Sequence, residues 1–362
     1  MTTTIPTRTC STDAPRATIR WCALLAAALL VSAGGATARA DDTYADINPI
    51  PPRIQWNSNF GYCGEVSFIS AGLYYGQYVS QYDARALAGP GVDQNLARSQ
   101  LLVGVNDQAA AAAMHLNAVE WDTADETSTS EFLAWVKQNA AAGFPVVIGI
   151  FDNQYRFYGK KNPNAGDASY DHIVPVFGVA SDHPLPSGVY YASDTLSFND
   201  NGEWAPHGVP TYVFTYRMGP FQKTRQEANA PGGAVYSVRR GHLDYGIAIT
   251  GVMDTGHDTV PVRLATSVNY EKPAIANGST VRPPPMPLTL TATVSSLTPG
   301  IVYKLYRYDS FSMTPNDHFN ANAGAAAETW TLDLSAGSTY SISEAIMSDD
   351  EAIYRAVPAS AP

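Results

Sequence analysis

Residues 269–287 divide the chain, because three consecutive prolines, Pro283, Pro284 and Pro285, interrupt any regular element there. Proline lacks a backbone N–H and fixes its own φ angle, so such a run fits neither a helix interior nor a central strand. The 362-residue chain is also longer than a single core usually fills. We therefore predict two domains, at 41–270 and 288–362, joined by a proline-rich linker at 271–287.

The second predicted domain has the alternating pattern of β-strands. The runs "LTLTATVSSL" and "IVYKLYRYD" alternate apolar and polar residues on either side of the turn "TPG", and "ETWTLDLSAGSTYSISEAI" repeats the arrangement. Short alternating strands with turn signals are typical of a small β-sandwich. The run "SSLTPGIVYKLYRY" resembles the turn and tyrosine-bearing strand of fibronectin type III domains, which implies a domain of that type at 288–362.

The first predicted domain mixes helices and strands. Val66, Ile69 and Leu73 have the spacing of one helical face and predict a helix over 63–79. A second helix is predicted within "STSEFLAWVKQNAAAG", which has capping residues before it and a glycine at its end. Later segments such as "HIVPVFGVA" and "YGIAITGV" read as strands. Helices followed by antiparallel-looking strands predict an α+β fold.

The first forty residues have the pattern of a secretory signal. Polar residues with Arg8, Arg16 and Arg20 precede the apolar run "WCALLAAALLVSAGG", and Ala38 and Ala40 form a small-x-small cleavage site. The apolar run is short and rich in alanine and glycine, which does not favour a membrane span. We expect a signal peptide at 1–40 and a secreted or periplasmic protein without a membrane-spanning segment.

Composition narrows the classes of partner. The chain carries 22 basic and 33 acidic residues, for a formal net charge of −11. A surface that acidic argues against nucleic acid or an anionic membrane as the partner. The residues after the signal lack the Cys/His spacing of a zinc site and a glycine-rich phosphate loop. The sequence therefore predicts neither a metal nor an organic cofactor.

Cysteine usage singles out one residue. Cys10 and Cys22 lie in the predicted signal, which leaves Cys63 alone in the exported chain. A single cysteine in an oxidising compartment is buried and inert, paired with another chain, or a reactive thiol. Cys63 follows a polar loop and begins the first predicted helix, where unpaired backbone N–H groups favour a thiolate. This position favours the reactive reading.

A reactive thiol needs a base and a group that orients the base. His172 begins the apolar strand "HIVPVFGV", and a rigid strand would hold its imidazole in place as a general base. The alternative is a histidine without a chemical role at the junction of loop and strand. Asp194 follows 22 residues later, a distance that allows a turn and a neighbouring antiparallel strand. We predict Asp194 as the orienting residue, with Asn199 as an alternate.

The order of these residues resembles the papain-like cysteine peptidases. A Cys-Gly pair at a helix start, a later "DHIVPVFGV" and a following aspartate are most similar to the branch that removes double-glycine leaders from bacteriocins, over about residues 47–268. The resemblance implies a papain-like fold, with Cys63 as nucleophile, His172 as base and acid, and Gln55 as oxyanion donor. The family donor commonly precedes the cysteine by six residues, which is the position of Asn57, so either amide remains a candidate.

These inferences predict a secreted cysteine peptidase that cleaves peptide or isopeptide bonds of a peptide or protein substrate through a thioester on Cys63. One alternative keeps the same three residues but transfers the acyl group to an amine, as in a transpeptidase, a transglutaminase-like enzyme or a cell-wall amidase. A second alternative is a papain-fold protein that has lost activity and serves as a secreted binding module. The reactivity of Cys63 separates the enzymes from the binding module.

Overall fold

A computed structural model describes most of the chain after the predicted signal. The described ranges are 44–56, 59–122, 128–204, 212–241, 243–268, 284–332 and 337–361. The signal prediction at 1–40, the candidate Asn57 and most of the predicted linker lie outside these ranges. Residues 41–362 cluster as one compact unit.

Seven helices are numbered here within the described residues. They are α1 Cys63–Tyr74, α2 Gln81–Ala88, α3 Asp107–Ala113, α4 Thr129–Ala141, α5 Gln154–Tyr158, α6 Met218–Phe221 and α7 Arg225–Ala228. The strands are β1 Tyr44–Ile47, β2 Gln77–Tyr78, β3 Leu116–Glu120, β4 Val146–Asp152, β5 His172–Ser181, β6 Thr195–Asp200, β7 Tyr212–Arg217, β8 Gln222–Lys223, β9 Tyr236–Arg239, β10 Gly246–Val252, β11 Val262–Thr266, β12 Pro287–Val294, β13 Tyr303–Tyr308, β14 Glu328–Leu332, β15 Tyr340–Met347 and β16 Ala352–Pro358.

The largest sheet has the strand order β3-β10-β4-β5-β6-β7, with β1 added to β5 and β9 added to β4. Its neighbours are antiparallel, apart from the parallel pair β8 and β9. Strands β4 and β5 are apolar and almost wholly buried. Both faces of these two strands are therefore covered by other parts of the protein, because a continuous apolar run has apolar side chains on both faces of the sheet.

A helix covers each face of the central strands. Val147 and Ile173 belong to the core that contains α1, whereas Val146, Ile148 and Val174 belong to the core that contains α4. This division follows from the two-residue repeat of side chains along a strand. Helix α1 is buried from Gly64 to Tyr74. Because α1 is buried on all sides, its first residue, Cys63, has a fixed position relative to β5.

The C-terminal strands form two further sheets, with the orders β11-β12-β15 and β14-β13-β16-β2. Strand β12 begins at Pro287, where the predicted linker ends. Strands β2 and β11, however, come from the region predicted as the first domain, and each pairs with a C-terminal strand. The apolar core of these strands also continues into α1 through residues such as Phe68 and Leu290. The two predicted domains thus share strands and a core.

The α+β class predicted from the sequence is confirmed, with mostly antiparallel sheets and few helices. The helix predicted over 63–79 ends at Tyr74, because Gly76 takes a positive φ of 74° and turns the chain into β2. Within the described residues, none of the helices has the length and apolar composition needed to cross a membrane.

Candidate active site

Cys63 is the first residue of α1, and its side chain is partly exposed and free of a disulfide. Gly64 lets the helix start fit closely against the chain at Leu101. A Cβ on Gly64 would lie 1.9 Å from the Leu101 carbonyl oxygen, and no side-chain rotation would relieve that overlap. The small residue after Cys63 therefore allows the thiol to sit at a tightly packed helix start beside a cavity.

The loop before Cys63 has an unusual backbone. Asn59, Phe60 and Gly61 all have positive φ angles, of 46°, 71° and 86°. A non-glycine residue in this region costs free energy that the surrounding structure must offset. Arg85 of α2 supplies contacts that do so, because its guanidinium donates to the carbonyl oxygens of Asn59 and Gly61.

Arg85 is held in turn by a buried ion pair. Its Nε lies 2.6 Å from Glu65 Oε1, and both side chains are almost fully buried. Glu65 Oε1 also accepts a hydrogen bond from the Leu101 N–H at 3.0 Å. The Arg85 guanidinium stacks on the Tyr62 ring, with 3.6 Å between its Cζ and the ring centroid. These contacts fasten the residues on both sides of Cys63 to α2.

His172 is the first residue of β5 and is 2 % exposed. Its Nε2 lies 3.2 Å from Asp200 Oδ1, and its ring stacks on Tyr236 at a centroid distance of 5.7 Å. The Cys63 thiol lines the same cavity and is the second group whose interaction raises the pKa of the imidazole. Because Nε2 contacts Asp200, Nδ1 is the nitrogen left to serve the thiol. The imidazole therefore lies between a thiol and a carboxylate.

The pKa of His172 reflects these partners. Burial by itself lowers the pKa of a histidine, but the hydrogen bonds to Asp200 and Cys63 outweigh it and raise the pKa of His172 well above its usual value. Burial likewise acts to raise the pKa of Asp200, and the bond to His172 together with the Trp204 N–H lowers it overall. The site thus favours an imidazolium paired with a carboxylate.

Asn201 joins the backbone segments that carry the two reactive side chains. Its Nδ2 donates to the Cys63 carbonyl oxygen at 3.2 Å and to the Ile173 carbonyl oxygen at 2.9 Å. The start of α1 and the start of β5 therefore share one donor. Asp200 and Asn201 stand side by side at the end of β6, so a single turn supplies both the partner of the imidazole and the clamp between helix and strand.

Gln55, the predicted oxyanion donor, lines the same cavity as Cys63. Its Oε1 accepts the N–H of Tyr62 at 2.9 Å, which orients the amide so that Nε2 points toward the cavity and donates to Glu203 Oε2 at 3.1 Å. A neutral amide donor beside the thiol is what an oxyanion requires. Its present partner, a carboxylate, would have to yield to a substrate oxygen.

The cavity has a volume of about 640 Å³ and is lined by Cys63 and His172 among other residues. Its walls are formed by Phe60, Val103, Tyr158, Tyr170, Tyr245 and Glu203. Asp152, the last residue of β4, lies beside His172 and is 3 % exposed. Among the described residues, no group of three or more His, Cys, Asp or Glu side chains has the arrangement of a metal site.

The prediction that Asp194 orients His172 is wrong. Asp194 Oδ2 instead binds Lys137 Nζ of α4 at 2.7 Å, and both side chains are fully buried. In the antiparallel pair of β5 and β6, Thr195 lies opposite Ala180, far along the strand from His172. The start of one strand faces the end of its antiparallel neighbour, so the residue beside His172 comes from the end of β6.

Asn199, the alternate orienting residue, lies on β6 next to Asp200. Successive side chains of a strand point to opposite faces, so Asn199 and Asp200 cannot both face His172. The residue that does face His172 is Asp200. Sequence reasoning missed Asp200, Asn201 and Asp152; the available signal was that each stands at the end of an apolar strand, where antiparallel register brings it to the start of β5.

No family model, curated protein or solved structure matches this chain. Cys63 and His172 line one cavity, and Asp200 bonds to the His172 imidazole at its edge. A thiol at a helix start, an imidazole in the same cavity and a carboxylate on the Nε2 of that imidazole together suit nucleophilic acyl transfer.

Proposed function

We propose that this protein is an exported, papain-like cysteine peptidase that cleaves peptide or isopeptide bonds. The observation that carries the proposal is the alignment of Cys63, His172 and Asp200, with the imidazole buried between thiol and carboxylate. The raised pKa of His172 favours its imidazolium form, which stabilises a neighbouring thiolate. The cavity above these groups supplies room for an extended substrate.

In the proposed reaction the Cys63 thiolate attacks the carbonyl carbon of the scissile amide. The oxygen becomes an oxyanion, for which the Gln55 amide and the Cys63 backbone N–H are the candidate donors. His172 then gives its proton to the leaving amine, the C–N bond breaks, and a thioester forms on Cys63. Water, deprotonated by His172, hydrolyses the thioester and releases the acid. Asp200 keeps the imidazole oriented in both steps.

The C-terminal strands complete the proposal. Two facing sheets of three and four strands suit a fibronectin type III-like sandwich. Because such domains serve binding more often than chemistry, we assign it the role of supporting or presenting substrate. The partner is then a peptide or protein outside the cytoplasm, reached through the signal predicted at 1–40.

The test compares wild-type protein with Cys63→Ala on a diverse peptide mixture, with products read by mass spectrometry. We expect wild type to cut a subset of peptides and Cys63→Ala to cut none. Iodoacetamide should alkylate native Cys63 faster than free cysteine at neutral pH and should abolish cleavage. Labelling only after denaturation, together with an intact peptide mixture, would contradict the proposal and favour a binding module.

Whether water or an amine accepts the acyl group is decided in the same assay. Addition of a weakly nucleophilic primary amine at low concentration to the peptide mixture distinguishes the two by product mass. Hydrolysis gives free acids even when amine is present, whereas a transpeptidase or transglutaminase-like enzyme gives amide products. We expect free acids, because the open cavity exposes Cys63 to solvent.

A further inference from the structure

One buried polar group in the cavity is not used by the reaction just described. Asp152 ends β4, is 3 % exposed and lines the cavity together with Cys63 and His172. Its Oδ1 has no hydrogen-bond partner among the described residues. A buried carboxylate oxygen without a hydrogen-bond partner costs free energy. Its position in a cavity wall indicates that a bound ligand supplies the missing hydrogen-bond donor.

A second carboxylate stands near Asp152. Glu203 is half-buried and lines the same cavity, where Oε1 accepts the Tyr158 hydroxyl at 2.9 Å and Oε2 accepts the Gln55 amide at 3.1 Å. Burial raises the pKa of Asp152 well above its usual value; His172 opposes the rise, and the negative charge of Glu203 adds to it. Burial and the charge of Glu203 therefore favour a proton on Asp152 in the ligand-free cavity.

Basic side chains do little to balance these acids. Arg225 pairs with Asp171, which lines the cavity, and donates to the Asp152 carbonyl oxygen. Lys160 is exposed at the rim, where it lies over the Tyr158 ring. His172 is committed to Asp200 and Cys63. The described part of the cavity wall therefore presents more negative than positive charge to an incoming ligand.

We propose that Asp152 and Glu203 form a subsite for a positively charged group of the substrate, such as a lysine, arginine or terminal ammonium close to the bond that is cut. An ammonium or guanidinium would donate to the free oxygen of Asp152, and its positive charge would favour the ionised form of that acid. The inference rests on the proposed peptidase function for its substrate. It specifies which peptides that enzyme selects.

The subsite can be tested by thiol chemistry, without a known substrate. Three methanethiosulfonates, carrying an aminoethyl, a propyl or a sulfonatoethyl group, each transfer an alkylthio group to Cys63 and release sulfinate; the cationic and neutral groups have the same number of heavy atoms. Rates are measured by mass spectrometry of the Cys63 peptide and are divided by the rates with free cysteine. We expect the cationic reagent to react at least about fivefold faster than the neutral one, and the anionic reagent to react more slowly.

Variants then assign the preference to its residues. Asp152→Asn and Glu203→Gln should each reduce the ratio of cationic to neutral rates, and both together should bring it close to that of free cysteine. Asp182→Asn, a matched change at an exposed aspartate outside the cavity, should leave the ratio unchanged. Thermal melts confirm folding, and Glu203→Gln serves alone if Asp152→Asn does not fold.

Equal normalised rates for the cationic and neutral reagents in the wild-type protein would overturn the subsite. An unchanged ratio in folded Asp152→Asn would do the same, and if that variant does not fold, an unchanged ratio in Glu203→Gln would do so. These results differ from a failure of the peptidase itself. If the peptide mixture is cut but the ratio is flat, only the charge selectivity is lost. If the ratio is high but nothing is cut, the peptidase proposal fails while the acidic subsite stays as a binding feature.

Discussion

Asp194 and Asp200 flank one short strand, β6, and both are buried beside a positively charged or titratable partner. Asp194 binds Lys137 in the packed layer under α4, whereas Asp200 binds His172 at the edge of a cavity that also holds Cys63. The ion pairs are similar in form, but only the second has a reactive group and solvent access next to it. A buried acid–base pair indicates chemistry only when a third group and a cavity adjoin it.

The largest effect expected from this comparison is on activity. Asp200→Asn removes the charge that stabilises the imidazolium, so we expect peptide cleavage to fall by about 10²- to 10⁴-fold. The pKa of His172 should fall as well, because burial remains while the favourable bond weakens. NMR titration of the His172 ring measures this shift. An unchanged rate and an unchanged His172 titration would remove Asp200 from the site.

Asp194→Asn should instead affect stability. The substitution leaves the fully buried Lys137 ammonium without an opposing charge, which costs about 3–5 kcal/mol in comparable pairs. Urea denaturation measures the free energy of unfolding. The alkylation rate of Cys63 in the folded fraction should match wild type, which distinguishes Asp194 from Asp200. A double variant, Lys137→Met with Asp194→Leu, should recover part of the loss, because no buried charge remains.

Two features of the site were predictable from sequence. The helical spacing of Val66, Ile69 and Leu73 placed Cys63 at a helix start, and the apolar run after His172 placed it at the start of a strand. Both are local patterns, which depend on neighbours in the chain.

Two other features were not predictable, because they depend on pairing between distant segments. Choosing Asp200 over Asp194 requires the register of β5 against β6, which neither strand encodes alone. The sharing of β11 with the C-terminal sheet requires knowledge of which edge strand finds which partner. The sequence pattern favoured Asp194, which is nearer to His172 in the chain, over Asp200, which the sheet pairs with it. It likewise favoured a domain boundary at the prolines, although β11 before them pairs with β12 after them.

Asp107 is a third buried aspartate, and it differs from Asp194 and Asp200 because no cationic group is among the contacts that shift its pKa. Burial raises the pKa of Asp107 to about 6, and the Gly104 N–H opposes the rise only in part. Because this pKa lies above the unfolded value of about 3.9, the contribution of Asp107 to stability is most favourable at low pH and becomes less favourable as pH rises from about 4 to about 6. The shift corresponds to about 3 kcal/mol.

Asp107→Asn should abolish that loss. Asparagine keeps an oxygen that accepts the Gly104 N–H but has no proton to lose. We expect the free energy of unfolding of the variant, relative to wild type, to improve between about pH 4 and pH 6 and to stay level above that range. Urea denaturation at several pH values measures the difference. A difference that does not vary with pH would show that Asp107 titrates normally in the folded protein.

The smallest effect concerns Arg85, whose ion pair with Glu65 is as buried as that of Lys137 but stands behind the loop that leads to Cys63. Arg85→Lys keeps the charge but cannot bind Glu65 and the carbonyl oxygens of Asn59 and Gly61 at once, since lysine lacks the planar fork. We expect a loss of about 1–2 kcal/mol in stability. If the loop then leaves its left-handed backbone, Cys63 alkylation should slow while the His172 titration stays close to wild type. A stability loss without any change in the alkylation rate would show that the Arg85–Glu65 pair, like the Lys137–Asp194 pair, stabilises the fold and does not position Cys63.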